Sequence, residues 1–216
     1  MERSQVTSVL REPASTPAGA LVLTHGRGAD ADDLEPLLDL LDSDRRLLGI
    51  LPRGPLFLPP GGRHWYIVRQ VGFPDPSTFL STFEELAGYL DAILAEREIP
   101  WEQTAVGGFS QGAVMSYALA LGAGRPRPAA VLACSGFIPS VEGFDLALAD
   151  RAGLPVSISH GSLDPVISVN FGRDARDRLA AAGLAVRYRE DPVGHTISPG
   201  ALAQARAVLD EALPPS

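Results

Sequence analysis

The stretch Thr104–Leu121, TAVGGFSQGAVMSYALAL, constrains this chain more than any other. A short apolar run leads into Gly108-Phe109-Ser110-Gln111-Gly112, and a helix-like run follows. A G-x-S-x-G segment in that context predicts a sharp strand-to-helix turn, with the serine at its tip in a strained backbone conformation. The glycines two residues to either side lack side chains because strand and helix approach closely there. Such a turn exposes the Ser110 Oγ above the sheet. It also aims the first N–H groups of the helix at whatever oxygen the serine attacks. The expectation is nucleophilic serine chemistry.

A serine hydroxyl needs a base, and the composition narrows the choice. All 18 basic residues are arginine. Without lysine, Ser-Lys dyads, S-x-x-K sites, Schiff-base chemistry and the P-loop lysine are excluded. Histidine must activate the serine, and there are four: His25, His64, His160 and His195.

The order of elements decides among them. A first edge strand is expected within residues 4–11, and Gly19–His25 reads as a short buried strand running into the glycine-rich turn His25-Gly26-Arg27-Gly28. In ADADDLEPLLDLL, Leu34, Leu37, Leu38 and Leu41 share one helical face, with acidic residues in the first turn. Asp30, Asp32 and Asp33 do not make a calcium loop, because Glu35 and Leu41 stand where an EF-hand loop needs Gly and Glu. Capping is the reading for them, and no metal site is expected.

Leu47–Leu51 is a second core strand. The segment from Pro52 to Ser77, rich in Pro, Gly and aromatics, shows neither helical nor strand periodicity. Its apolar Leu56, Phe57, Trp65, Tyr66, Ile67 and Phe73 predict an ordered loop lining a cleft; covering a sheet edge is the alternative. Ser77–Arg97 is an amphipathic helix, started by Ser77 or by the capping box Ser81-Thr82-Phe83-Glu84. Further strands are expected at Ala129–Ser135, Pro155–His160 and Ala185–Glu190, with helices at Ser168–Ala182 and from Ser198-Pro199 to about Leu213. Pro214–Ser216 reads as a loose tail. Alternating strands and helices, with several strands apolar throughout, predict a mostly parallel sheet covered on both faces. The length of 216 residues suits one α/β domain, 1–216.

Ligands of open α/β sheets sit at the carboxyl ends of the strands. Ser110 follows the elbow strand. Asp164, in His160-Gly161-Ser162-Leu163-Asp164-Pro165, and His195, in Gly194-His195-Thr196, each follow a later strand. The chain order Ser, Asp, His is that of an α/β-hydrolase triad. Imidazole acts as base in one half-reaction and acid in the next, while the carboxylate fixes its tautomer. Gln111 and Arg27 are the expected N–H donors to the oxyanion. His25 and His160 precede glycines at strand ends, where structural hydrogen bonds are expected. His64, in the aromatic segment, remains a candidate for touching substrate. Asp191 competes with Asp164, but lies too close in sequence to His195.

The blocks THGRGADADDLEPL, RHWYIV, GGFSQG, CSGFIP, HGSLDPVI and GHTISP together resemble the phospholipase/carboxylesterase family of small α/β-hydrolases, over nearly the whole chain from Ala20 to Leu213. That family includes acyl-protein thioesterases and bacterial carboxylesterases. The resemblance implies an α/β-hydrolase fold without a separate cap domain. It implies Ser110, Asp164 and His195 as triad, Arg27 and Gln111 as oxyanion donors, and no cofactor. Two positions depart from the thioesterase pattern: Arg27 stands where Leu is usual, and Ile67 where the aromatic motif usually ends in Asp. Trp65, Tyr66, Ile67 and Phe73, with Phe137 of CSGFIP, are the expected substrate-contacting residues.

The expected activity is a serine carboxylesterase acting on small esters through an acyl-enzyme. A thioesterase or lysophospholipase on the same scaffold is the alternative. A binding protein that retains the fold without turnover is the reading from a different class. The expected partner is a small-molecule ester. A net charge of −8 with no basic cluster argues against nucleic acid. No apolar run reaches the ~18 residues of a membrane span, and the charged start MERSQVTSVLREPAS lacks a signal-peptide core, so the expected compartment is the cytoplasm. The single cysteine, Cys134, forms no internal disulfide and is expected to be packed and inert. A homodimer is left open.

Overall fold

The computed structural model describes residues 3–214, so the tail expected at Pro214–Ser216 lies, beyond Pro214, outside the described residues. β1 (Thr7–Arg11) and β2 (Ala20–Thr24) come first. A single 3-10 turn at Ala31–Leu34 then runs into α1 (Glu35–Leu41). β3 (Leu48–Arg53) is followed by four short strands, β4 (Leu56–Leu58), β5 (Gly62–His64), β6 (Val68–Gln70) and β7 (Phe73–Pro74). The remainder alternates: α2 (Pro76–Glu96), β8 (Thr104–Phe109), α3 (Gln111–Leu121), β9 (Ala130–Cys134), β10 (Pro155–Gly161), α4 (Val169–Ala181), β11 (Ala185–Asp191) and α5 (Pro199–Ala212).

Seven strands form one sheet in the order β1-β3-β2-β8-β9-β10-β11. β1 pairs antiparallel with β3, and every other neighbouring pair is parallel. Side chains alternate across a strand, so each central strand feeds two cores. Val22, Ile50, Val106, Val131 and Ile158 face the side covered by α2, α3 and α4. Leu21, Leu23, Leu51, Ala105 and Leu132 face α1 and α5. Burial on both faces is why β2, β8 and β9 carry no alternating polar positions and are apolar over most of their length. β11 is an edge and shows the other pattern, with exposed and half-buried residues alternating along it.

α3 is buried along its whole length, so its sequence shows no polar face. The acidic run before α1 serves as capping. Asp30 accepts from the Ala31 N–H at 2.7 Å, Asp33 accepts from the Asp30 N–H at 2.8 Å, and Arg53 pairs with both Asp30 and Asp32. Two sequence expectations need correction. α2 begins neither at Ser77 nor at Ser81: Asp75 caps it through the Thr78 N–H at 3.0 Å, with Pro76 in the first turn, where its missing N–H costs nothing. The segment expected to be an ordered loop carries two antiparallel pairs, β4–β5 and β6–β7, each too short to show a period of two.

Candidate active site

β8 and α3 meet at Ser110, whose φ of 56° and ψ of −120° lie in a region that a non-glycine residue rarely adopts. Holding it there costs on the order of 1–3 kcal/mol, which the surroundings must offset. The Ser110 N–H donates to the Cys134 carbonyl at 2.9 Å. Beneath the turn, Thr24 Oγ1 donates to the Gly112 carbonyl at 2.7 Å and lies 3.0 Å from Ser116 Oγ. The strain is therefore local and braced.

The turns after β10 and β11 bring the other two groups to this tip. His195 Nε2 is 2.8 Å from Ser110 Oγ, and His195 Nδ1 is 2.6 Å from Asp164 Oδ2. A carboxylate only accepts, so the ring proton sits on Nδ1 and Nε2 is free to accept from the serine. Asp164 is fully shielded, and its other oxygen accepts from the Val166 and Ile167 N–H groups at 2.8 and 2.9 Å. Burial alone would raise this carboxyl. The His195 and backbone donors outweigh burial and hold it below its ordinary 3.8.

A carboxyl depressed in the folded state contributes stability above its ordinary value and loses it as pH falls through the lower, folded value. Asp75, Asp91 and Asp191 are depressed by their own donors in the same sense. The protein is expected to lose stability steadily on acidification below about pH 4. Asp164→Asn is expected to flatten that loss. Urea midpoints between pH 7 and pH 3 for both chains check it, and parallel curves would contradict it.

The competing groups are engaged elsewhere. His25 Nδ1 donates to the Gly26 carbonyl and its Nε2 accepts from the Gly54 N–H at 2.9 Å, which fixes a neutral ring that burial also favours. His160 Nε2 donates to the Ile167 carbonyl at 2.8 Å and braces the turn that carries Asp164. His64 is buried with Nδ1 on the Tyr66 carbonyl, and it does not line the cavity beside Ser110. Asp191 accepts from Arg189 and Ser198, not from His195. Cys134 is buried, and burial pushes its thiol up.

Beside Ser110 lies a cavity of about 300 Å³. Its polar lining is Arg27, Gln70, Ser110 and Gln111, and its apolar lining is Tyr66, Val68, Val71, Phe137, Val166 and Ile167. A larger groove, beside Arg3, Glu85 and Tyr89 at the β1 edge, holds none of the Ser110, His195 or Asp164 side chains. Of the five residues expected to contact substrate, Tyr66 and Phe137 line the cavity.

The other three do not line it, each for a physical reason. Trp65 is fully buried, with its indole N–H on the His25 carbonyl at 2.8 Å. Ile67 gives its N–H to Thr78 Oγ1, and its carbonyl accepts from the Asp75 N–H, tying the segment to the start of α2. Phe73 is 60% exposed, next to the tip of the β6–β7 pair.

Sequence reasoning missed Val68, Gln70 and Val71. The signal available was Gly72, a turn residue between Val71 and Phe73, which here turns β6 into β7 with a φ of 89°. It also missed the Gln111 side chain. Its Oε1 accepts from the Trp65 N–H and its Nε2 donates to the Tyr66 carbonyl, both at 2.8 Å, which pins the cavity wall to the serine turn.

Arg27 and Gln111 line the cavity together with Ser110. Gln111 opens α3, so its backbone N–H has no carbonyl one turn back to bond. In the other turn, the Gly28 and Ala29 N–H groups are engaged, by the Arg63 and Gly26 carbonyls. The layout is a serine hydroxyl, an imidazole, a carboxylate and a cavity at the carboxyl ends of parallel strands.

Residues 6–213 match the model of a family described as phospholipase/carboxylesterase. The chain belongs to that family. Within and around it, the chain is 26% identical to the acyl-protein thioesterase 1 of Debaryomyces hansenii, over 97% of this chain and 99% of that one. Its fold is that of the Bacillus cereus carboxylesterase, with a TM-score of 0.83 at 24% identity, covering 96% of this chain and 94% of the other. The structure of esterase PE8 superposes with a TM-score of 0.80 at 26% identity, over 97% and 100% of the two chains. The family is one of hydrolases with esterase and thioesterase members, and the fold is that of α/β-hydrolases. No helix among the described residues is long and apolar enough to cross a membrane.

Proposed function

We propose that this chain is a serine carboxylesterase that hydrolyses small carboxylic esters through an acyl-enzyme. The observation that carries the reading is the unbroken chain of hydrogen bonds from Ser110 Oγ through His195 to Asp164. As Ser110 Oγ attacks the ester carbonyl, its proton passes to His195 Nε2, and the Asp164 carboxylate stabilises the imidazolium. The carbonyl electrons move onto oxygen, where the Gln111 and Arg27 N–H groups stabilise the charge. Collapse expels the alcohol, which takes the proton from Nε2. Water then attacks the acyl-Ser110 ester by the same route and releases the acid. A cavity of about 300 Å³ sits at the lower end of ligand-pocket volumes, which favours small substrates.

The expected result is one fluorophosphonate adduct, mapped to Ser110 by peptide mass, with turnover of p-nitrophenyl acetate and butyrate. Neither adduct nor turnover would sink the reading and favour a binding protein on the same fold. Full-length similarity to an acyl-protein thioesterase supports the second reading, thioester hydrolysis at the same site. An S-acyl substrate cleaved much faster than its oxygen-ester counterpart would select it.

A further inference from the structure

Arginine is the only strongly basic side chain in the sequence, and acidic side chains outnumber it, 26 to 18. An arginine without a partner is therefore unexpected. Arg127 and Arg151 donate to backbone carbonyls. Every other arginine except Arg27 lies within salt-bridge distance of a carboxylate. Exposure does not account for the exception, since Arg69, 79% exposed, still pairs with Asp75.

Carboxylates close in sequence do not account for it either. Asp30 and Asp32 are taken by Arg53, and Asp33 by the Asp30 N–H. Among the described residues, Arg27 alone has neither a carboxylate nor a carbonyl. It is also the only charged residue lining the cavity beside Ser110. Its charge reaches the wall segment: His64, pushed down chiefly by its burial, is pushed further down by Arg27.

We propose that Arg27 is a specificity residue that selects esters carrying an anion, such as a carboxylate, on their acyl or alcohol part. The assignment rests on the esterase reading for the reaction, and on the unpaired guanidinium for the choice of substrate. A guanidinium presents a planar fork of donors that fits a carboxylate, and a charge-assisted pair in a part-enclosed cavity exceeds one in open water. The apolar walls Val68, Val71 and Phe137 suit the short chain between the ester and the anion.

The test compares wild type, Arg27→Leu and Arg27→Lys on two substrate pairs. On the acyl side, mono-p-nitrophenyl glutarate is set against p-nitrophenyl valerate. On the alcohol side, the butyrate ester of 4-hydroxybenzoate is set against phenyl butyrate. The readout is the ratio of kcat/KM within each pair, in which any change at the Arg27 backbone N–H cancels. For one pair the ratio is expected to fall about fivefold or more in Arg27→Leu, and to be partly kept in Arg27→Lys. The pair that responds says which side carries the anion. Ratios unchanged in both pairs overturn the assignment.

Calorimetric titration with glutarate needs no turnover and separates the two readings. If wild type shows neither fluorophosphonate adduct nor turnover, the esterase reading fails on its own. Weaker glutarate binding in Arg27→Leu, by about fivefold, would then still support anion capture by Arg27. Equal binding in both chains, or none in wild type, would reject it.

Discussion

Ser110→Ala is expected to lower kcat on p-nitrophenyl esters by about a million-fold, Asp164→Asn by about ten-thousand-fold, and the double variant no further than Ser110→Ala alone. The sizes follow from what each change removes. Without Ser110 Oγ no acyl-enzyme forms, and only oriented binding and the oxyanion donors remain. Asp164→Asn leaves the shape of the site intact but reverses one hydrogen bond. An amide N–H facing His195 Nδ1, now 2.6 Å from Asp164 Oδ2, makes that nitrogen an acceptor. The ring proton moves to Nε2, which then has no lone pair for the serine. Once the nucleophile is gone, the tautomer of the base no longer matters, so the losses do not multiply. Single-turnover and steady-state rates for the three variants and wild type check this. An Asp164→Asn enzyme within tenfold of wild type, or a double variant much slower than Ser110→Ala, would mean the three residues do not act as one unit.

The parts of this site that could be read from the sequence depend on the backbone. Ser110, Asp164 and His195 each follow a strand in a parallel sheet, and strand ends are marked by local patterning that survives without knowledge of the fold. The cavity walls were harder to read because their positions are set by partners distant in sequence. Trp65 looks in sequence like a cleft residue, yet a carbonyl 40 residues earlier takes its indole N–H, and the amide of Gln111, 46 residues later, takes its backbone N–H. No periodicity reports such contacts. The β6–β7 pair is two to three residues a side, shorter than any window in which alternation registers. The start of α2 was misplaced for a local reason: a serine capping box competed with Asp75-Pro76, and the carboxylate cap followed by proline prevails. Arg27 shows the complementary case. The sequence places it in the glycine-rich turn after β2, but its lack of a partner emerges only when every other arginine has been paired in three dimensions.

Gly112→Ala is expected to destabilise the protein by about 3 kcal/mol or more, a large share of the roughly 5–15 kcal/mol that holds a domain of this kind together. A Cβ on Gly112 would lie 1.9 Å from the Thr24 carbonyl oxygen and 2.6 Å from the His25 carbonyl oxygen. Both are backbone atoms: Thr24 belongs to the central strand β2, and His25 follows it directly, so neither moves without displacing the sheet. The hydroxyl of Thr24 also bonds the Gly112 carbonyl, so a shift of α3 to relieve the clash would break the brace beneath Ser110. Helix propensity pulls the other way, because alanine is favoured over glycine by about 1 kcal/mol inside a helix. Gly88→Ala isolates that term: Gly88 is exposed in α2, and a Cβ there would meet nothing within 4 Å. It is expected to raise stability by about 0.5–1 kcal/mol. Urea unfolding of the two variants beside wild type therefore yields opposite signs from the same substitution. If Gly112→Ala were as stable as wild type, α3 would have to stand farther from β2 than the elbow permits, and the strained Ser110 conformation would lose its physical basis.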